Sequence, residues 1–477
     1  MTAGTVPSGA DEPGGGLKEA SVGAVVGILV FFELTSGFLQ GGLTPLLPDL
    51  GEHHHIADSS LNWVQSLQLL AAAVCVPTFG RLGDLHGHRR MLRIALVMLA
   101  AGTVLVAIAP NLQVLLLGRV LQGSLAALLP LEVALVKDRL PEDKARQAIA
   151  RLVGSLTFGG LLGAVIMGVV HDAVGDVRVA LLLPALLTLL CIPISYLKVP
   201  ESVPRATGRA DWPGIVLLGF SMIAILFGVS RAETDGWISG WTLAPLLLGF
   251  AVLAGWARYE LGTADPLVDL RAMADRRIAP FFVVSFLFGV VFFGIQTPDT
   301  TFLAADPEVD GYGFGLTALN LSLMALPATV LAVVGSAFTA RIAGGMGYRR
   351  ALMLSFGLIA GGILFQVVLH DALWQLIVAK MCLGFGAGLA LGAMPTVIVE
   401  AAEPSRTGVL TALYNNVKTL GGAVAGGVIA SILATMALGD TPTEGAYVAV
   451  WLLCAVCAAA AAVAVRFARR TETAPVR

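Results

Sequence analysis

Charge is scarce in this chain: 13% of its 477 residues are Asp, Glu, Lys or Arg, about half the share of a soluble domain. That excludes an ordinary cytosolic enzyme. With 57% hydrophobic residues it also excludes global disorder, because disordered chains are polar and highly charged. No basic surplus exists, since 30 basic side chains stand against 32 acidic ones, and no nucleic-acid partner is expected. Lysine is rare beside arginine, which with abundant Ala and Gly points to a high-GC bacterial genome. Cysteine is limited to Cys75, Cys191, Cys382, Cys454 and Cys457, all in apolar stretches. That odd set makes no disulfide framework, and the Cys454/Cys457 pair has no polar surroundings for a metal. The phosphate-cradling GxxxxGK[ST] pattern and the HExxH zinc pattern are absent, so ATP is not expected to drive this protein and no metal is expected. Ser155 and Thr157 lack a His or Asp that would make a nucleophile. No enzyme and no cofactor are expected, and His53-His54-His55 reads as an exposed polar loop.

What the chain has is apolar length. Mean hydropathy is +0.84, and 55 glycines suit helices that pack closely inside a bilayer. At about 20 apolar residues per crossing, fourteen spans are expected: 22–47, 61–83, 91–110, 112–136, 149–170, 178–198, 212–231, 241–258, 278–303, 316–340, 350–370, 374–399, 407–436 and 445–467. The fold class is therefore an all-α integral membrane protein with 14 transmembrane helices. Loops on the side of the two termini hold Arg89, Arg90, Lys144, Arg205, Arg277 and Arg350, whereas the opposite loops are mostly acidic (Asp172, Asp176, Glu233, Asp306, Glu308). The positive-inside rule then predicts a multi-pass cell-membrane protein with both termini cytoplasmic.

The chain also repeats itself. Gly80–Arg90 reads GRLGDLHGHRR and Ala340–Arg350 reads ARIAGGMGYRR, an offset of 260. At 261, Phe31-Phe32 falls on Phe292-Phe293, Arg119 on Lys380 and Gly123 on Gly384; at 262, Gly159-Gly160 falls on Gly421-Gly422. Helices 1–6 and 9–14 are read as two parallel six-helix bundles, with helices 7 and 8 inserted between them. The expected organisation is a disordered cytoplasmic tail (1–20), an N-terminal bundle (21–200), a linker with helices 7–8 (201–277), a C-terminal bundle (278–468) and a second tail (469–477). Two such halves around a midplane site are a common transporter architecture.

These motifs carry a resemblance. The Gly80–Arg90 loop and Arg119-Val-Leu-Gln122-Gly123 resemble two signatures of the major facilitator superfamily. Asp211-Trp-Pro-Gly214, the Asp265–Leu270 segment, the stretch from Gly408 to Asn416 and the count of fourteen spans are similar to its drug:proton antiporter branch. One departure stands out: the helix 5 signature, which the branch associates with antiport, here reads Gly159-Gly160-Leu-Leu-Gly163-Ala164, without its Pro and its final Gly. The resemblance implies proton-coupled efflux of small amphipathic molecules, drugs or antibiotics, by alternating access. Proton-coupled or facilitative uptake of a metabolite, or a membrane sensor, remains the alternative. A monomer is expected, with protons, lipid and a small-molecule substrate as its partners.

Ionisable groups inside a membrane are costly and default to function. Glu33 lies ~16 Å into helix 1 at 1.5 Å per residue, on one face with Gly37, Gln40 and Thr44. It is the expected proton carrier, the alternative being a packing carboxylate held in a salt bridge. Arg119 lies roughly 10 Å in from the outer end, at similar depth, and the resemblance implies a role in proton or substrate handling beside Glu33. A structural Arg satisfying backbone carbonyls is the alternative. Asn62, Gln65 and Gln68 form a polar stripe. With Gln40, Gln122, Gln296, Asn320, Lys380, Tyr414, Asn415 and Lys418 they are expected either to line a substrate cavity or to serve as interhelical glue. The resemblance makes Gly80, Asp84, Gly87, Arg89 and Arg90 a gate. Glu132 and Glu400, near inner helix ends, are expected to be solvated.

Overall fold

A run of apolar residues inside a bilayer must satisfy its own backbone, which leaves the helix as the economical solution. The computed structural model follows that logic and describes residues 15–199, 211–236, 238–263, 266–268, 270–273, 278–401, 407–439 and 441–467. The expected tail up to residue 14, the second tail, and Arg205, Asp265 and Arg277 lie outside the described residues, as does the side chain of Glu400.

The first half comprises α1 (Gly15–Leu43), α2 (Leu47–His54), α3 (Asp58–His86), α4 (His88–Ala107), α5 (Leu112–Gln122), α6 (Leu128–Arg139), α7 (Glu142–Val174) and α8 (Val177–Lys198). Then come α9 (Trp212–Asp235), α10 (Gly240–Gly262) and the short α11 (Leu270–Met273). The second half holds α12 (Ala279–Gly294), α13 (Gln296–Ala304), α14 (Ala318–Met346), α15 (Tyr348–Val368), α16 (Leu373–Ala401), α17 (Thr407–Thr435) and α18 (Glu444–Phe467). A two-stranded hairpin, β1 (Ala437–Leu438) with β2 (Thr441–Pro442), caps the α17–α18 connection. Among the described residues, fourteen segments are long and apolar enough to cross a membrane. Three crossings are made of more than one helix. A 3₁₀ turn at Thr44–Leu46 joins α1 to α2, extending the first crossing to His54. A 3₁₀ stretch at Gly123–Ala127 separates α5 from α6 inside the fourth. The ninth is α12 followed by α13. Where Pro110-Asn111 promises a turn, Asn111 caps α5 by accepting from Val114 N at 3.0 Å.

The two copies repeat in packing as well as in sequence. Gly87 (φ 95°) and Gly347 (φ 84°) turn the chain between α3 and α4 and between α14 and α15, a backbone region that glycine enters without steric cost. Gly102 abuts Gly118, and at offsets of 260 and 261 Gly362 abuts Ala379. Helix α1 packs along α7, and α12 packs along α17. Gly37, Gly41, Gly159 and Gly163 bring the α1 and α7 backbones so close that a Cβ on any of them would stand 2.0–2.2 Å from a carbonyl oxygen across the seam.

The end of the bundle at which α1 begins and α18 ends is the terminal face; the other is the distal face. Three hydrogen bonds that join the halves lie toward the distal face. Tyr447 Oη sits 3.2 Å from Asp58 Oδ2, Thr317 Oγ1 donates to Asp172 Oδ2 at 3.0 Å, and Ser322 Oγ donates to Ala164 O at 2.7 Å. Gly426 of α17 meets α3 so tightly that a Cβ there would stand 1.6 Å from Ser66 Oγ. The inserted α9 flanks this α3–α17 seam, with Val229 and Trp63 both against Gly427.

Candidate functional site

Arg119 sits on α5, 3% exposed, facing α3. Its Nε donates to Val64 O at 2.8 Å, Nη1 to Gln122 Oε1 at 2.6 Å, and Nη2 to Gln65 Oε1 at 3.4 Å and to Gln68 Oε1. Gln122 Nε2 in turn donates to Thr103 Oγ1 at 3.1 Å. The stripe Gln65–Gln68 is thus drawn together around the guanidinium. Every one of these acceptors is neutral, so the charge is solvated by dipoles and not cancelled by an anion. A small cleft opens beside it, with Phe38, Leu39, Leu43 and Met167 as apolar wall and Arg119, Gln122 and Thr103 as its polar part. Few polar groups on an apolar wall is the usual make-up of a small-molecule site.

Glu33 lies elsewhere. It is 1% exposed, and the side chain facing it within hydrogen-bond reach is Glu132 of α6, 0% exposed. All four carboxyl oxygens are buried, and no donor among the described residues reaches them. Two expectations are corrected here. Glu132 is not solvated: the lone Glu in Leu128–Val136 projects inward, because the polar run that suggested a helix end begins only at Lys137. Arg119 does not hold Glu33 in this structure, because α3 glutamines occupy it instead.

In the second half, Lys380, the repeat mate of Arg119, forms an ion pair. Its Nζ lies 2.6 Å from Asp299 Oδ2. Asp299 Oδ1 accepts from Gln366 Nε2 and from Trp451 Nε1, both at 2.9 Å. Sequence reasoning missed this closed network, since nothing at the level of spacing links Gln366 or Trp451 to Asp299. Lys418 lies on α17 with its Nζ 5.8 Å from the Tyr414 ring centroid, within cation–π range. Tyr414 is buried and its Oη has no partner among the described residues.

The remaining cavity candidates divide. Gln40 is exposed on α1, its Nε2 3.5 Å from Ser36 Oγ. Asn62 turns back on its own helix, donating to Ser59 O at 3.3 Å. Gln296 donates to Phe292 O at 2.8 Å. Asn415 is exposed on α17, and Asn320 is exposed in the first turn of α14, at the distal face. The structure does not gather these five into the Arg119 cluster.

At the terminal face, His88 links Asp84 to Asp138. Its Nε2 is 3.2 Å from Asp84 Oδ1 and its Nδ1 is 3.7 Å from Asp138 Oδ2. His88 was not singled out from sequence. Gly87 supplies the turn between α3 and α4, Gly83 packs against His88 and Leu131, and a Cβ added at Gly80 would meet no described neighbour within 4 Å. Arg89 and Arg90 open α4, Arg90 exposed.

With this geometry in view, the profile described as Major Facilitator Superfamily matches residues 29–426 and 314–477. Similar curated proteins include a "Probable actinorhodin transporter" of Streptomyces coelicolor, 26% identical over 88% of this chain and 73% of that one. A "Uridine/deoxyuridine transporter" of Lactococcus lactis is 25% identical over 80% and 79%, and "Multidrug resistance protein Stp" of Mycobacterium tuberculosis is 25% identical over 81% and 71%. Among solved structures, the nucleoside transporter NupG superposes with a TM-score of 0.66 at 13% identity, over 93% of this chain and 98% of that one.

Proposed function

The chain belongs to the Major Facilitator Superfamily, and from that premise we propose that it is a proton-coupled exporter of small amphipathic molecules working by alternating access. It is a membrane transporter; direction, coupling and cargo are the proposal. The observation that carries coupling is Glu33, a carboxyl 1% exposed within the first crossing with no donor among the described residues. An ionisable side chain inside a membrane is costly and defaults to a functional role. Export of drug-like molecules is supported by relatives named for multidrug resistance and for actinorhodin.

In this reading both termini are cytoplasmic, as the loop arginines favour, and the distal face is the outer one. The distal contacts then belong to the state closed to the outside. Arg119, caged by neutral dipoles, would attract the anionic or polar end of cargo while the Phe38–Met167 wall takes its apolar part. The Asp84–His88 cluster and the Gly87 turn would gate the cytoplasmic side, and the transporter would act as a monomer. The uridine transporter relative favours a second reading, uptake of a metabolite.

Everted vesicles from a host lacking its own pumps separate the two, with actinorhodin and uridine as probes. Under an acid-inside gradient an exporter accumulates the first. An importer accumulates neither there, yet takes up uridine in whole cells. No gradient-dependent movement of either probe would sink proton-coupled transport of these classes.

A further inference from the structure

The proton site in the proposal above is a single carboxyl, but the structure surrounds it differently from the sequence. Glu33 on α1 and Glu132 on α6 are both more than nine-tenths buried and face one another. Their four oxygens receive no hydrogen from any other described group. The titratable neighbour on the packed helices is Cys191 of α8, whose thiol donates away from the pair, to Leu187 O at 3.3 Å. No cation pairs with either carboxyl among the described residues; Arg119, a basic group of the same crossing as Glu132, is engaged by Val64, Gln65, Gln68 and Gln122.

An ionised carboxyl only accepts hydrogen bonds, whereas a protonated one can donate. The contact between these two side chains therefore requires a proton on at least one of them.

We propose that Glu132 is the second half of the proton site, so that Glu33 and Glu132 share one proton as an acid–carboxylate pair and titrate as a unit. On uptake, hydronium gives its proton to one of the two separated carboxylates and leaves as water while the pair closes; on release, a water molecule takes the shared proton as hydronium and the two anions part. The element that lets them part is the 3₁₀ stretch at Gly123–Ala127, which separates α6 from the α5 segment carrying Arg119. Short 3₁₀ stretches inside a helix commonly mark hinges. This rests on the proposed coupling role of Glu33, but the shared proton is a property of the protein alone.

The test needs no cargo. The full chain, reconstituted in lipid, is titrated while infrared difference spectra follow the C=O stretch of protonated carboxyls in H₂O and D₂O. The expected result is one deuterium-sensitive band lost completely in both Glu33→Gln and Glu132→Gln. In each variant the new amide donates to the remaining carboxylate and leaves it ionised. Glu260→Gln, which removes a buried carboxyl outside the pair, should leave that band in place. No such band in the wild type, an unchanged band in Glu132→Gln, or separate half-losses in the two variants would each overturn the shared proton. If Glu132→Gln does not fold, Glu132→Asp decides: a spectrum identical to wild type overturns the proposal, and a displaced band supports it. Because the readout precedes transport, failure to move actinorhodin or uridine would sink export and leave the pair standing.

Discussion

Lys380 and Arg119 occupy equivalent positions in the two copies, yet only Lys380 has an acid against it, with its Nζ 2.6 Å from Asp299 Oδ2. The same place in the repeat thus holds a neutralised charge in one half and an uncancelled one in the other. A neutralised, fully hydrogen-bonded pair belongs to the scaffold, whereas an uncancelled charge beside a cleft is available to cargo.

For the pair, Asp299→Asn or Lys380→Met strands the other charge in a buried site, and each should cost about 3–5 kcal/mol, the usual penalty for breaking a buried ion pair. The double variant should recover much of that loss, because no lone charge remains. Thermal unfolding in detergent reads this directly. A double variant no more stable than the singles would show that the pair is not a unit.

Removing the uncancelled charge should act on cargo instead. Arg119→Gln keeps a donor for Val64 O and should leave the protein folded while weakening an anionic cargo by roughly tenfold or more, ~1.4 kcal/mol of lost attraction. Dicationic quaternary compounds should not suffer. Binding measured by tryptophan quenching across cargoes of different charge checks the sign.

Coupling should fail selectively at Glu33. Glu33→Gln is expected to abolish transport against a gradient yet allow downhill exchange, and Glu33→Asp should keep partial activity with a displaced pH optimum. Proteoliposomes under an imposed pH difference measure both. If Glu33→Gln still concentrates cargo, Asp299 becomes the acid to examine.

The gate gives a graded prediction along one loop. Gly87 has φ 95°, so Gly87→Val should slow turnover by at least about tenfold, and Asp84→Asn, which weakens the contact to His88, should slow it as well. Gly80 has no atom within 4 Å of an added Cβ, so Gly80→Ala should be near neutral. Turnover in proteoliposomes, beside an unchanged cargo affinity, separates a gating defect from a binding one.

At the other face, Gly426→Val cannot fit against Ser66 and should hold the halves apart there. Transport should fall below about a tenth of wild type, and a cysteine placed near Asp58 should react faster with an aqueous reagent. Normal reactivity and normal transport would contradict distal closure through this seam.

The fourteen crossings and the repeat were legible because they rest on long apolar runs and on glycines whose spacing is constrained by backbone contact. Gln65 and Gln68 were legible as one helix face, since three-residue spacing aligns amides, but their gathering around Arg119 was not. The partners of the buried acids were not. Glu132 reaches Glu33 from another helix, and Gln366 and Trp451 reach Asp299 from two others. Such meetings are set by how helices cross, which leaves no periodic trace in the chain. His88 escaped notice for a different reason: a histidine beside arginines looks solvated until α3 and α4 fold back on one another.

Helix α7 runs 33 residues without a proline, and its glycine seam joins it to α1 backbone against backbone. The two helices therefore form one beam with no side-chain layer to shear and no kink to flex. Motion in the first half has to come from elements outside that beam, above all from the broken fourth crossing. The beam also filters variation. A larger residue at Gly37, Gly41, Gly159 or Gly163 would prevent the helices from assembling instead of slowing the finished machine. In a random mutant library screened on surviving protein, these four positions should be silent, absent from every class of impaired variant because their carriers never reach the membrane intact.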